Sequence, residues 1–135
     1  MNPLQYTSLL FSLIIYKSFS VKNYIMGNLW IYMLLISLLY HSDRNNKTTL
    51  IWHFDQVGII LIVLYGAICT KYATRSTKIR SVFLFLTICS LYLIEVHLDF
   101  TEDDRIHILL HITVVILFLI LLNDSFLYQQ VNGHR

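Results

Sequence analysis

Five side chains in this sequence are of types and spacings that can do chemistry together: Ser37, His41, Asp55, His107 and His111. His107 and His111, in "RIHILLH", are four residues apart, so on a helix both imidazoles project from one face. Metal-binding helices use that two-ligand spacing. A third imidazole from a neighbouring segment would leave one tetrahedral position open, the arrangement of catalytic zinc. His41, near the end of "ISLLYHS", is the candidate third ligand. Ser37 lies one helical turn deeper, where it can hold a ligand, a water or a substrate oxygen. Asp55, in "IWHFDQVGI", is placed to bond a water at the metal or to orient a ligand. Axial haem ligation is the chemical rival, but two histidines four apart on one helix cannot bind opposite faces of one haem. Either His107 or His111 would then be left over.

The elements that must position these residues are membrane helices. Of the 135 residues, 56% are hydrophobic and 13% charged, against a charged fraction of roughly a quarter in soluble domains. That much apolar surface is most simply placed in a bilayer, within one transmembrane domain covering residues 1–135. The expected class is all-α, a bundle of about five transmembrane helices. Their approximate spans are Pro3–Phe19, Asn23–His41, Leu50–Thr70, Ser81–Leu98 and Ile106–Phe126, judged against the roughly 20 residues a crossing requires. A cleaved signal peptide is the rival for the first span. No basic residue precedes its apolar run and no A-x-A-like site follows, so it is read as a helix. The loops, Ser20–Lys22, Ser42–Thr49, Lys71–Arg80 and Asp99–Arg105, are too short for a second domain. The tail "LYQQVNGHR" is expected to fray.

Lys17, Lys22, Lys71, Arg75, Lys78, Arg80 and Arg135 fall on one side of such a bundle, and Arg44, Lys47 and Arg105 on the other. The positive-inside rule places the first set in the cytoplasm. The N-terminus is then outside or lumenal and the C-terminus cytoplasmic. A net charge of +2 gives no reason to expect a nucleic-acid partner.

Ionisable groups inside membrane helices are functional-site candidates by default. His41, His53, Asp55, His107 and His111 all lie toward one membrane face. His53 and His134 read more simply as interfacial or satisfied residues, and Asp99, Glu102, Asp103 and Asp104 as a solvated loop. Glu95 and His97, near the end of the fourth span, read either as support for the site or as interfacial groups. Cys69 and Cys89 sit in apolar runs without a CxxC partner and read as structural thiols.

The order Ser37-x3-His41, Asp55, His107-x3-His111 resembles the CREST superfamily, which includes alkaline ceramidases, the progestin and adipoQ receptors and GPI-remodelling membrane proteins. "SLLYHS" resembles its Ser-x3-His at the end of the second core helix. "FDQVGI" resembles the aspartate motif opening the third, and "HILLH" the His-x3-His of the last. The resemblance implies a zinc ion held by His41, His107 and His111, with Asp55 and Ser37 around the bound water. Family members have seven core helices. Here only 52 positions separate Asp55 from His107, room for one intervening helix, so the resemblance implies a shortened core. Loss of two helices preserves the side on which His107 returns. The acidic N-terminus of the ceramidases is missing, since no carboxylate precedes Asp43.

The expected function is therefore zinc-dependent hydrolysis of a lipid amide or ester, ceramidase-like. A membrane lipid is the expected substrate and a homodimer a candidate assembly. The alternatives are a receptor-like or assembly protein with structural zinc, and a pore or proton relay using His41, His53, Glu95 and His97.

Overall fold

The computed structural model describes residues 3–42, 49–97 and 104–124, and every element among them is helical. The elements are α1 (Pro3–Ser8), α2 (Phe11–Ser20), α3 (Tyr24–Ser42), α4 (Thr49–Tyr72), α5 (Arg75–His97) and α6 (Asp104–Leu122). Helices α3 to α6 are each long and apolar enough to cross a membrane. Within those four stretches only 11–39% of residues are buried in the protein. Their outward faces carry Ile25, Leu64, Phe83 and Leu86, each more than half exposed. In water such a surface would drive aggregation, whereas in hydrocarbon it meets its own kind of solvent.

The first segment departs from the single span Pro3–Phe19. It is two helices, interrupted at Leu9–Leu10. Around the break the amides of Leu10, Ser12 and Leu13 bond three residues back, to Thr7, Leu9 and Leu10, tightening the chain into 3₁₀ turns. The hydroxyls of Thr7 and Ser8 both donate to the Leu4 carbonyl, at 3.0 and 2.9 Å. Back-bonding of this kind competes with the helical ladder and bends it. The pair α1–α2 still runs antiparallel to α3, with Ser8 beside Ser37 and Phe11 beside Trp30.

The turn from α2 to α3 is a Schellman motif. The Asn23 amide bonds the Ser18 carbonyl at 2.8 Å and the Lys22 amide bonds the Phe19 carbonyl at 3.0 Å. Lys22 takes the left-handed position, with φ 59°. Asn23 then accepts from the Met26 amide, capping α3, and from the Tyr65 hydroxyl of α4.

A second departure concerns the fourth span. Helix α5 begins at Arg75, not Ser81, so most of the expected Lys71–Arg80 loop is helix and only Ala73 and Thr74 connect α4 to α5. The cause lies in the cap. Asp124, just past α6, accepts from both the amide and the hydroxyl of Thr74, at 3.2 and 2.8 Å. A carboxylate there satisfies an orphan donor and complements the helix dipole.

The core is built on Phe11, Ile14, Met26, Trp30, Phe118 and Leu121. Trp30 sits between the rings of Phe11 and Phe118, with both centroids 4.9 Å away. Helix α3 lies between α2 and α4, and α6 packs on α1, α2 and α5. Gly58 allows α4 to lie close on α3: a Cβ there would collide with the Met33 sulfur and stand 2.7 Å from the Tyr32 ring. Tyr32 also donates to the Phe54 carbonyl at 2.8 Å. Helix α4 meets α5 and α6 only sparsely, and the space left among α3, α4, α5 and α6 is a cavity.

Candidate metal centre

Two helix ends bring three histidines together at one end of that cavity. His41 arrives in the last turn of α3, and His107 and His111 in the first two turns of α6. Ring centroids are 4.6 Å apart for His107–His111, 5.0 Å for His41–His107 and 5.7 Å for His41–His111. One ligand nitrogen from each lies within 4.8 Å of the others. Zinc bonded at about 2.0–2.1 Å to tetrahedral nitrogens holds them roughly 3.3 Å apart, so modest side-chain rotation closes the set on an ion. His41 and His111 are buried, while His107 retains access to the cavity. Three neutral imidazoles with an open side suit a borderline-soft divalent metal, and the residues fit the group.

Each α6 histidine is held by its Nδ1 atom. For His107 the partner is the carboxylate of Glu95 on α5, at 2.6 Å. For His111 it is the hydroxyl of Thr7 on α1, at 3.0 Å. The Phe11 ring packs on His111 at 5.0 Å. Outer partners of this kind fix ring orientation and leave Nε2 for the metal. Of the two readings open for Glu95, its contact favours support of the site. The His97 side chain lies outside the described residues, as do His134 and the loop residues Asp99, Glu102 and Asp103.

Asp55, near the start of α4, lines the same cavity as His107. Its carboxylate lies 3.5 Å from the Gln56 amide nitrogen. It is not part of the three-residue ligand cluster. Ser37 lines the cavity one turn below His41, and its hydroxyl is 2.8 Å from that of Ser8. His53 stands apart from the cluster and packs its ring on Trp52, at 4.9 Å. Both cysteines are free thiols; Cys69 is buried, and Cys89 lines the cavity wall.

Comparison with known protein families, curated proteins and solved structures finds no match.

The cavity has a volume of about 970 Å³, at the upper end of the roughly 300–1,000 Å³ usual for small-molecule sites. It runs from His41, Asp55, Glu95, His107 and His111 down to Thr70 and Ser81 near the opposite end of the bundle. From Asp55 to Thr70 is about 22 Å at 1.5 Å per helical residue. Its walls are largely apolar, formed by side chains such as Trp30, Ile62, Phe85 and Phe118.

Thr7 and Ser8 were not legible as site residues. The signal available was a pair of hydroxyls in an apolar segment, "YTSLL". Hydroxyls back-bond in most membrane helices, so only the packing of α1 on α3 and α6 distinguishes these two.

Proposed function

We propose that this chain is an intramembrane zinc hydrolase that cleaves a lipid amide or ester. The observation that carries the reading is the joint one: three convergent histidines and a separate carboxylate at the head of a long apolar cavity. The resemblance of the Ser37/His41, Asp55 and His107/His111 motifs to the CREST superfamily supports the same reading.

His41, His107 and His111 would hold the zinc. When bound, it supplies a Lewis acid that polarises a carbonyl and makes water acidic near neutral pH. Asp55 is the general base and water-orienting group, because it faces the cavity without belonging to the ligand cluster. Glu95 keeps the His107 ring turned toward the cluster. Ser37 offers an oxygen one turn below His41 to a substrate or water. The apolar walls accept an acyl chain: a leaflet's hydrocarbon is about 15 Å deep, half of the roughly 30 Å core, and the cavity exceeds that. They also exclude bulk water, which strengthens every charge interaction at the head of the cavity.

Two measurements test this on protein purified in mild detergent. Elemental analysis is expected to give about one zinc per chain, set by three histidines and an open position, and His107→Ala/His111→Ala is expected to lose it. Ceramides, lysolipids and phospholipids would then be offered in liposomes, with fatty-acid release followed by mass spectrometry. Asp55→Asn is expected to keep its zinc and lose about 10²–10⁴-fold in turnover, as removal of a general base does. Zinc retained with no release across the panel would favour a structural metal. Loss of zinc in Asp55→Asn would make Asp55 a ligand and overturn its assigned role.

A further inference from the structure

The hydroxyls of Thr7, Ser8 and Ser37 each carry a single proton, and one placement of the three makes all four of their contacts hydrogen bonds at once. A carbonyl only accepts. Thr7 and Ser8 both bond the Leu4 carbonyl, so both of their protons point to it. In that placement Ser8 accepts from Ser37, 2.8 Å away. In the same placement Thr7 accepts from His111 Nδ1, 3.0 Å away, and the imidazole proton sits on that nitrogen. The consequence reaches the cavity: His111 is left with a lone pair on Nε2, and Ser37 with lone pairs and no free proton.

We propose that α1 is a positioning element for the metal centre, in which Thr7 sets the tautomer of His111 and Ser8 takes the proton of Ser37. The proposal rests on reading the three histidines as one metal site. It gives the break at Leu9–Leu10 a purpose. Thr7 and Ser8 are adjacent in sequence, yet one bonds α6 and the other α3. The tightened backbone behind them, pinned at Leu4, holds both in that attitude. Glu95 does for His107 what Thr7 does for His111, with a carboxyl oxygen 2.6 Å from Nδ1. The two α6 histidines are thus oriented from different helices, one by a hydroxyl and one by a carboxyl group. Ser37 faces the site solely as an acceptor, so it suits a donor such as water or a lipid hydroxyl, and not a carbonyl oxygen.

The test has two arms. In the first, ¹⁵N NMR of metal-free, histidine-labelled wild type in detergent reads the His111 tautomer, assigned by comparison with His111→Gln. Protonation at Nδ1 is expected; an Nε2-protonated His111 overturns the proposal. In the second, zinc affinity is measured by chelator competition for Thr7→Val, Thr7→Ser and wild type. Thr7→Val keeps the shape and removes the acceptor, and is expected to bind zinc about 10–100-fold more weakly. Thr7→Ser is expected to stay near wild type. Equal affinity of Thr7→Val and wild type overturns the proposal, and so does equal loss in both variants, which marks a packing role. The tautomer arm requires neither turnover nor zinc. A wild type that binds zinc but carries an Nε2-protonated His111 overturns the role of α1 alone, whereas one that binds no metal overturns the hydrolase reading and the positioning role with it.

Discussion

At the scale of single residues, the centre depends on which nitrogen of each imidazole is free. Glu95 holds His107 through a hydrogen bond of 2.6 Å, and the carboxylate is only partly buried, with 30% of its side-chain surface exposed. The contact orients the His107 ring without requiring a charge on the imidazole. Glu95→Gln keeps the length and an acceptor oxygen while removing the charge that raises ligand basicity. Zinc affinity is expected to fall by about tenfold, toward the lower end of the range for lost outer partners. His107→Ala, measured in the same chelator competition, is expected to fall much further. Similar losses in the two variants would mean that Glu95 is itself a ligand.

At the scale of elements, the turn between α2 and α3 carries a cost that a single substitution can remove. Lys22 occupies the left-handed position of a Schellman motif that glycine usually fills. A β-carbon there costs roughly 1–2 kcal/mol, against about 0.5–1 kcal/mol of extra chain entropy for glycine. Lys22→Gly is therefore expected to stabilise the bundle by a net 0.5–1 kcal/mol or so, read as a higher midpoint in thermal unfolding followed by tryptophan fluorescence. Lys22→Ala, which keeps the β-carbon, is expected to show no gain. A lower midpoint for Lys22→Gly would mean that the lysine head itself makes a stabilising contact.

At the scale of the molecule, the bonds Tyr65–Asn23 and Thr74–Asp124 gather the α2–α3 turn, the α4–α5 turn and the end of α6 at one end of the bundle. Lys17, Lys22, Lys71 and Arg75 cluster there, opposite the histidines. From the charge bias we propose that this end faces the cytoplasm. In a background with Cys69 and Cys89 replaced by alanine, Asn46→Cys is expected to react with an impermeant thiol reagent in intact cells. Lys71→Cys is expected to react only after permeabilisation. The reverse pattern would invert the orientation and move the metal centre to the cytoplasmic face.

Much of this was readable from one dimension. Long apolar runs separated by short polar stretches dictate helices, because hydrocarbon leaves the backbone no other partner but itself. The spacing of His107 and His111 puts both on one face, and helix parity returns them to the side of His41. Those regularities are local or depend on a count of crossings, so they survive without coordinates. The break at Leu9–Leu10 did not, because it arises from hydroxyls competing with a ladder that the apolar pattern favours equally. The start of α5 did not, because Asp124, fifty residues away, supplies the cap at Thr74. The sequence by itself determined a helical, lipid-facing chain and the identity of three converging imidazoles. Only the tertiary structure decided which groups hold them. Thr7 and Glu95 reach His111 and His107 across 104 and 12 positions, and hydrogen bonds between helices are set by packing, which no periodicity along one helix encodes.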